Sequence, residues 1–181
     1  MVRPRCALAA RAGQDVLCTA LTEVFGTEIL SEEDCADFDG VLDFSFAKSE
    51  DLGGDEGSDA WHFWKVGDWT VLGDLSLFFC KDQDRLEALS AKVGELVVTA
   101  IDTTFEYAFF AYVDGGSIKR LLILEDEEII EEGFSIAAER GRPLEDFSEE
   151  EAERLWTSYG LPTFDHDPLG GPFKAVAIRL P

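Results

Sequence analysis

The sequence predicts an α+β fold, a mainly antiparallel sheet with about three helices packed on it. Three observations lead there. Residues 61–124 are dominated by strand-like runs joined by short Gly/Asp turns. Segments 15–25 and 148–159 repeat apolar residues at helical spacing. A chain of 181 residues with 46% hydrophobic and 12% aromatic content is long enough to bury a core around these elements. It reads as one domain, residues 1–181, with 31–60 as an acidic, partly mobile insertion and 61–162 as the best-defined core.

Residues 3–9 suit a short first strand. In residues 15–25, Val16, Leu17, Ala20, Leu21, Val24 and Phe25 form one apolar stripe, with Gly13 and Asp15 at its start and Gly26 at its end. Val41-Leu42-Asp43-Phe44-Ser45-Phe46 alternates as a strand would, and residues 49–59 read as a Gly-rich acidic loop. Gly67-Asp68 joins two aromatic strands, 61–66 and 69–73. Asp82 caps a helix over 82–93 that carries Leu86, Leu89 and Val93 on one side and ends at Gly94. Strands follow at 95–101, 104–113 and 117–124, the last two joined by Asp114-Gly115-Gly116. Phe105, Tyr107, Phe109, Ala111 and Val113 face one way and Ala108, Phe110 and Tyr112 the other, which predicts a strand covered on both faces. Ser148 and Glu151 form a capping box for a helix over 148–159, with Ala152, Leu155, Trp156 and Tyr159 on its apolar face; Gly160 and Pro162 end it. A last strand covers 173–180.

Charge narrows the function classes. Asp and Glu number 38 against 15 Lys and Arg, a net charge of −23. Such a surface repels nucleic acid and anionic lipid and attracts basic proteins. The acids cluster: residues 31–60 hold eleven acids and one base, and residues 125–181 fifteen acids and five bases. No apolar run approaches the roughly 18–20 residues of a membrane span, and no apolar stretch of signal-peptide length follows the two arginines of the first eight residues. The expected location is the cytoplasm, with Cys6, Cys18, Cys35 and Cys80 as free thiols.

Catalytic signals are weak. His62 lies in the aromatic run Trp61-His62-Phe63-Trp64 and reads as a sheet histidine. His166, between Asp165 and Asp167, suggests a divalent metal, but sequence neighbours rarely converge on one ion, so a polar loop is the simpler reading. The run Glu125–Glu128 with Glu131 and Glu132 could hold Ca²⁺ or Mg²⁺ weakly but lacks the layout of a calcium loop and reads mainly as solvated charge. The glycine pairs fit neither phosphate-binding loop nor dinucleotide fingerprint. The expectation is therefore no cofactor, no metal and no enzymatic activity. Trp61, Trp64, Trp69, Phe63, Phe78, Phe79, Phe105, Phe109 and Phe110 read mainly as core, with a fraction available as an exposed anchor for a partner.

The layout of residues 61–162 is distinctive. It combines the Trp64-x-x-Gly67-x-Trp69-Thr70-Val71 hairpin, a helix ending Leu86-x-x-Leu89-Ser90, and an aromatic hairpin closing on Gly116-Ser117-Ile118-Lys119-Arg120. An acidic stretch, the turn Gly141-Arg142-Pro143-Leu144 and an acidic amphipathic helix follow. In this it resembles small uncharacterised acidic bacterial proteins, some of which are thought to be immunity proteins for secreted toxins. The resemblance implies a non-catalytic binder and brings no catalytic residue with it.

The functional expectation is a cytoplasmic protein that binds a basic protein partner through its acidic surface, toxin immunity being the sharpest form. Nuclease toxins are often basic because their substrate is a polyanion, so an acidic inhibitor is steered to them. The predicted contacts are Glu125, Asp126, Glu127, Glu128, Glu131 and Glu132, with Asp51, Asp55, Glu56 and Asp59 as a second patch. The alternatives are a small metal-dependent hydrolase using Asp165, His166 and Asp167, an inhibitor whose carboxylates mimic nucleic-acid phosphates, and a structural subunit of a larger complex.

Overall fold

The computed structural model describes residues 5–51, 58–74, 82–163 and 172–181. Its strands are β1 (Arg5–Ala10), β2 (Glu28–Cys35), β3 (Ser58–Val66), β4 (Trp69–Asp74), β5 (Leu96–Asp102), β6 (Tyr107–Asp114), β7 (Ser117–Glu125), β8 (Glu128–Gly133) and β9 (Phe173–Arg179). They form one nine-stranded sheet in the order β2-β9-β3-β4-β1-β5-β6-β7-β8. Every pairing is antiparallel. The helices are α1 (Gln14–Phe25), α2 (Phe38–Asp51), α3 (Gln83–Val93) and α4 (Glu149–Thr157).

Helices cover both faces. On one, Leu17, Leu21 and Phe25 of α1 and Leu86 and Leu89 of α3 pack on Leu8, Trp61, Phe63, Leu72, Val98 and Phe109. On the other, Val41 and Phe44 of α2 and Ala152, Leu155 and Trp156 of α4 meet Trp64, Trp69, Val71, Val97 and Phe110. That second face places Ala7, Ala9, Ala108, Ala175 and Ala177 beneath its tryptophans. Small strand residues leave the depth that bulky partners fill at interior density. β1 lies at the middle of the sheet, and Cys6 to Ala10 are all buried, which its alternation of larger and smaller side chains allows. Polar contacts pin α4 in place: Trp156 Nε1 donates to the Pro162 carbonyl at 2.9 Å and Trp69 Nε1 to the Tyr159 carbonyl at 3.2 Å. The Tyr159 ring stacks on Tyr112.

The antiparallel α+β architecture agrees with the sequence reading, and several elements correct it. There are four α-helices among the described residues, one more than predicted. The additional one is α2: residues 41–46, predicted as a strand, are helical. Asp37 begins it, its Oδ1 accepting from Gly40 N at 2.9 Å, and Val41 and Phe44 turn inward three residues apart while Phe46 is exposed. Residues 31–60 supply most of β2, all of α2 and the start of β3. Val16 leaves the predicted α1 stripe and is exposed, and Phe105 lies before β6 and is 75% exposed. Half of the predicted capping box forms. Ser148 Oγ accepts from Glu151 N at 3.3 Å, while the Glu151 carboxylate turns to Arg154. Among the described residues no helix is long and apolar enough to cross a membrane.

Candidate functional site

β7 reads Ser-Ile-Lys-Arg-Leu-Leu-Ile-Leu-Glu. Its period of two sends Leu121 and Ile123 to the α1/α3 face and Leu122 to the α2/α4 face, and Arg120 shares the face of Leu122. A guanidinium on a buried face needs anionic partners. Arg120 is 2% exposed and has two. Glu139, from the 3-10 turn Ala137–Glu139, takes its Nε at 3.1 and 3.0 Å and its Nη2 at 2.6 Å. Glu131 of β8 takes Nη1 at 2.8 Å. Burial works against the charged guanidinium, but these bonds and charges outweigh it and hold its pKa above the usual value. Glu139 Oε2 also accepts from Ile136 N at 2.8 Å, so the arginine fixes the chain that leaves β8.

Beside this cluster lies a cavity of about 210 Å³, between β7–β8 and the segment leading into α4, with Arg120, Glu131, Arg142, Leu144, Phe147 and Leu155 on its wall. Arg120 and the least exposed carboxylates around it, Glu139 and Glu151, are already paired, the last with Arg154.

β8 is the outer strand of the sheet. It is joined to β7 by a two-residue turn in which Glu125 pairs with Glu128 and Asp126 and Glu127 both have positive φ, 52° and 65°. This is the turn geometry of tight hairpins, at positions that usually hold Asn and Gly. Glu106, in the turn before β6, also has positive φ, 50°. That turn and the β7–β8 turn lie at the same end of the sheet, because Asp102 pairs with Tyr107, Ala108 with Leu124, and Glu125 with Glu128. Among the described residues, Phe105 (75% exposed) lies in the turn before β6 and Ile130 (51%) midway along β8, while Phe134 (90%) follows the far end of β8.

The first predicted patch is therefore a folded unit. Glu125, Asp126, Glu127, Glu128 and Glu132 are exposed and make no ion pair among the described residues. Glu131 differs, because its charge is answered by Arg120. The second patch does not join the first. Asp51 ends α2 and Asp59 lies on β3, toward the opposite side of the sheet; Asp55 and Glu56 lie outside the described residues. Asp59 is half-buried, with Oδ1 accepting from Ala60 N at 2.8 Å. The two edge strands, β2 and β8, are eight strand spacings apart, about 38 Å at the usual interval. At physiological salt, charges act over about 8 Å, so the two acidic edges act separately.

What sequence reasoning missed here is Arg120. The signal was available: an arginine abutting the apolar run Leu121–Leu124, with glutamates following it.

The candidates for catalysis fare differently. His62 is 6% exposed and stacks on Trp64 at 5.4 Å, with Phe38 and Phe173 against its edges. Burial pushes its pKa down to about 4. Asp165, His166 and Asp167 lie outside the described residues, as does Cys80. Among the described residues no group of three or more His, Cys, Asp or Glu side chains is placed to hold a metal ion. No protein-family model, curated protein or solved structure matches the chain.

Proposed function

We propose that this protein binds a basic protein partner through the acidic β7–β8 hairpin, without catalysis, and that toxin immunity is the sharpest form of this role. The observation that carries the reading is the local arrangement. Four exposed carboxylates with no ion pair among the described residues, Glu125 to Glu128, gather at the β7–β8 turn, with Ile130 and the likewise unpaired Glu132 farther along the same edge strand and Phe105 on the turn two strands away. Charge steers a basic partner to that hairpin, and exposed apolar side chains supply the area that holds it there. Backbone strain supports the same reading. Glu127 sits in a left-handed conformation that costs a non-glycine residue about 1 kcal/mol. Strain of this kind gathers at binding and switch regions.

The test is capture of partners from the native cell lysate by the tagged protein at low and at high salt, read by mass spectrometry. Retention of a basic protein at low salt and its loss at high salt is the expected result. Retention of nothing, or of partners indifferent to salt, contradicts the proposal.

A further inference from the structure

We infer that β8 is a strand-addition site, at which an extended basic segment of the partner pairs as a tenth strand with Lys or Arg at alternate positions. The inference rests on the proposed binding role and specifies its chemistry. β8 has β7 on one side and no strand on the other among the described residues. Glu125 and Glu128 flank a two-residue turn and so exchange backbone hydrogen bonds; in an antiparallel ladder the bonded pairs then alternate. Ile123–Ile130 and Leu121–Glu132 are bonded, and the series continues at Lys119, whose carbonyl accepts from Phe134 N at 3.1 Å. The N–H and C=O of Ile129 and Glu131 therefore point away from β7, the pairing groups that an added strand requires.

The side chains specify the occupant. Glu128, Ile130 and Glu132 share one face, that of Ile123 and Leu121, and are exposed. Lysines on that face of an added strand meet two carboxylates, and their methylene stems cover Ile130. On the other face, half-buried Ile129 and the Glu131 already paired with Arg120 call for apolar or neutral positions. A second copy of this chain is a poor occupant, because self-pairing about Ile130 sets Glu128 opposite Glu132, like charges directly across a ladder. The other outer strand, β2, is less suited: Glu28 is paired with Arg179 at 2.8 Å and Glu32 with Lys174 at 2.9 Å.

The probe is a capped peptide of alternating Lys and Val, compared with the same peptide N-methylated at alternate residues, which keeps the charge and removes the strand-pairing donors. Binding is measured by titration, and hydrogen exchange is followed by NMR. The expected result is binding of the parent peptide, slowed exchange at the Ile129 and Glu131 amides with little change at Ile130 and Glu132, and affinity about tenfold or more weaker for the N-methylated form. The variant I129P, which removes an outward donor from an edge strand without changing charge, is expected to lose the same factor. Equal binding of both peptides overturns strand addition while leaving electrostatic capture standing. No binding of either overturns strand addition, and the lysate experiment then decides the binding role separately. Slowed exchange at the same two amides in the protein alone, with concentration-dependent dimerisation, assigns the edge to a second copy and overturns the inference.

Discussion

Arg120 is the residue on which the acidic hairpin is hung. It is 2% exposed, and Glu139, whose side chain is 11% exposed, depends on it for a countercharge. Breaking a buried ion pair by removing one partner typically costs about 3–5 kcal/mol. Arg120→Met is expected to lower the unfolding free energy by about that much in urea titration. Glu131→Gln, on the 49% exposed side, should cost below about 1 kcal/mol. Equal losses would mean that Glu131, rather than Glu139, supplies the partner the arginine requires. Glu127 gives the opposite sign. Its φ of 65° suits glycine, so Glu127→Gly should raise stability by about 0.5–1 kcal/mol while slowing partner association. Gain in stability with unchanged association would remove Glu127 from the contact set. His62 supplies a pH dependence. Its folded pKa is near 4 against 6.5 in the open chain, so between those values the unfolded chain binds the extra proton. The stability this group contributes is complete above pH 6.5 and is lost as pH falls toward 4, by about 3 kcal/mol in all. His62→Gln should flatten that part of the stability–pH curve, and parallel curves for the two proteins would refute the buried neutral imidazole.

At the scale of elements, legibility tracked whether a segment carried its own instructions. α3 and α4 were readable because their caps are local: Asp82 accepts from Arg85 N and Ser148 from Glu151 N, as the side-chain types implied. The hairpins at Gly67-Asp68 and Gly115-Gly116 were readable from turn chemistry, and the two-sided burial of β6 from its alternating pattern. α2 was misread because Val41 to Phe46 satisfies both periods over so short a run; the deciding signal, Asp37 as cap, stood four residues upstream of that run. β2 and β8 were missed for a different reason. Half of their residues are acidic, and what makes them strands lies elsewhere, in Lys174 and Arg179 of β9 and in Arg120 of β7. The site was legible as a list of acids and not as a hairpin with a paired and an unpaired side. Gly133 marks where β8 ends: φ is 82°, and a Cβ there would stand 2.1 Å from the Lys119 carbonyl oxygen. Gly133→Ala is expected to destabilise the protein by about 1–3 kcal/mol and to loosen exchange protection along β8. Protection unchanged in β8 would show that the chain exit does not set the edge.

At the scale of the molecule, the chain carries a net charge of −23, and the acidic strands β2 and β8 lie at opposite edges of the sheet, eight strand spacings apart. Acidic side chains on both outer strands discourage edge-to-edge pairing between copies. The β2 edge answers part of its charge internally, and the β7–β8 hairpin keeps five exposed carboxylates with no ion pair among the described residues. The most direct test of that division is the association rate of the captured basic partner with the wild-type protein and with the double variant E127K/E128K, over a range of salt. The account predicts a wild-type rate that falls as salt rises, a variant rate about tenfold or more lower at low salt, and convergence of the two at high salt. Rates that are the same for both proteins at every salt concentration would contradict it.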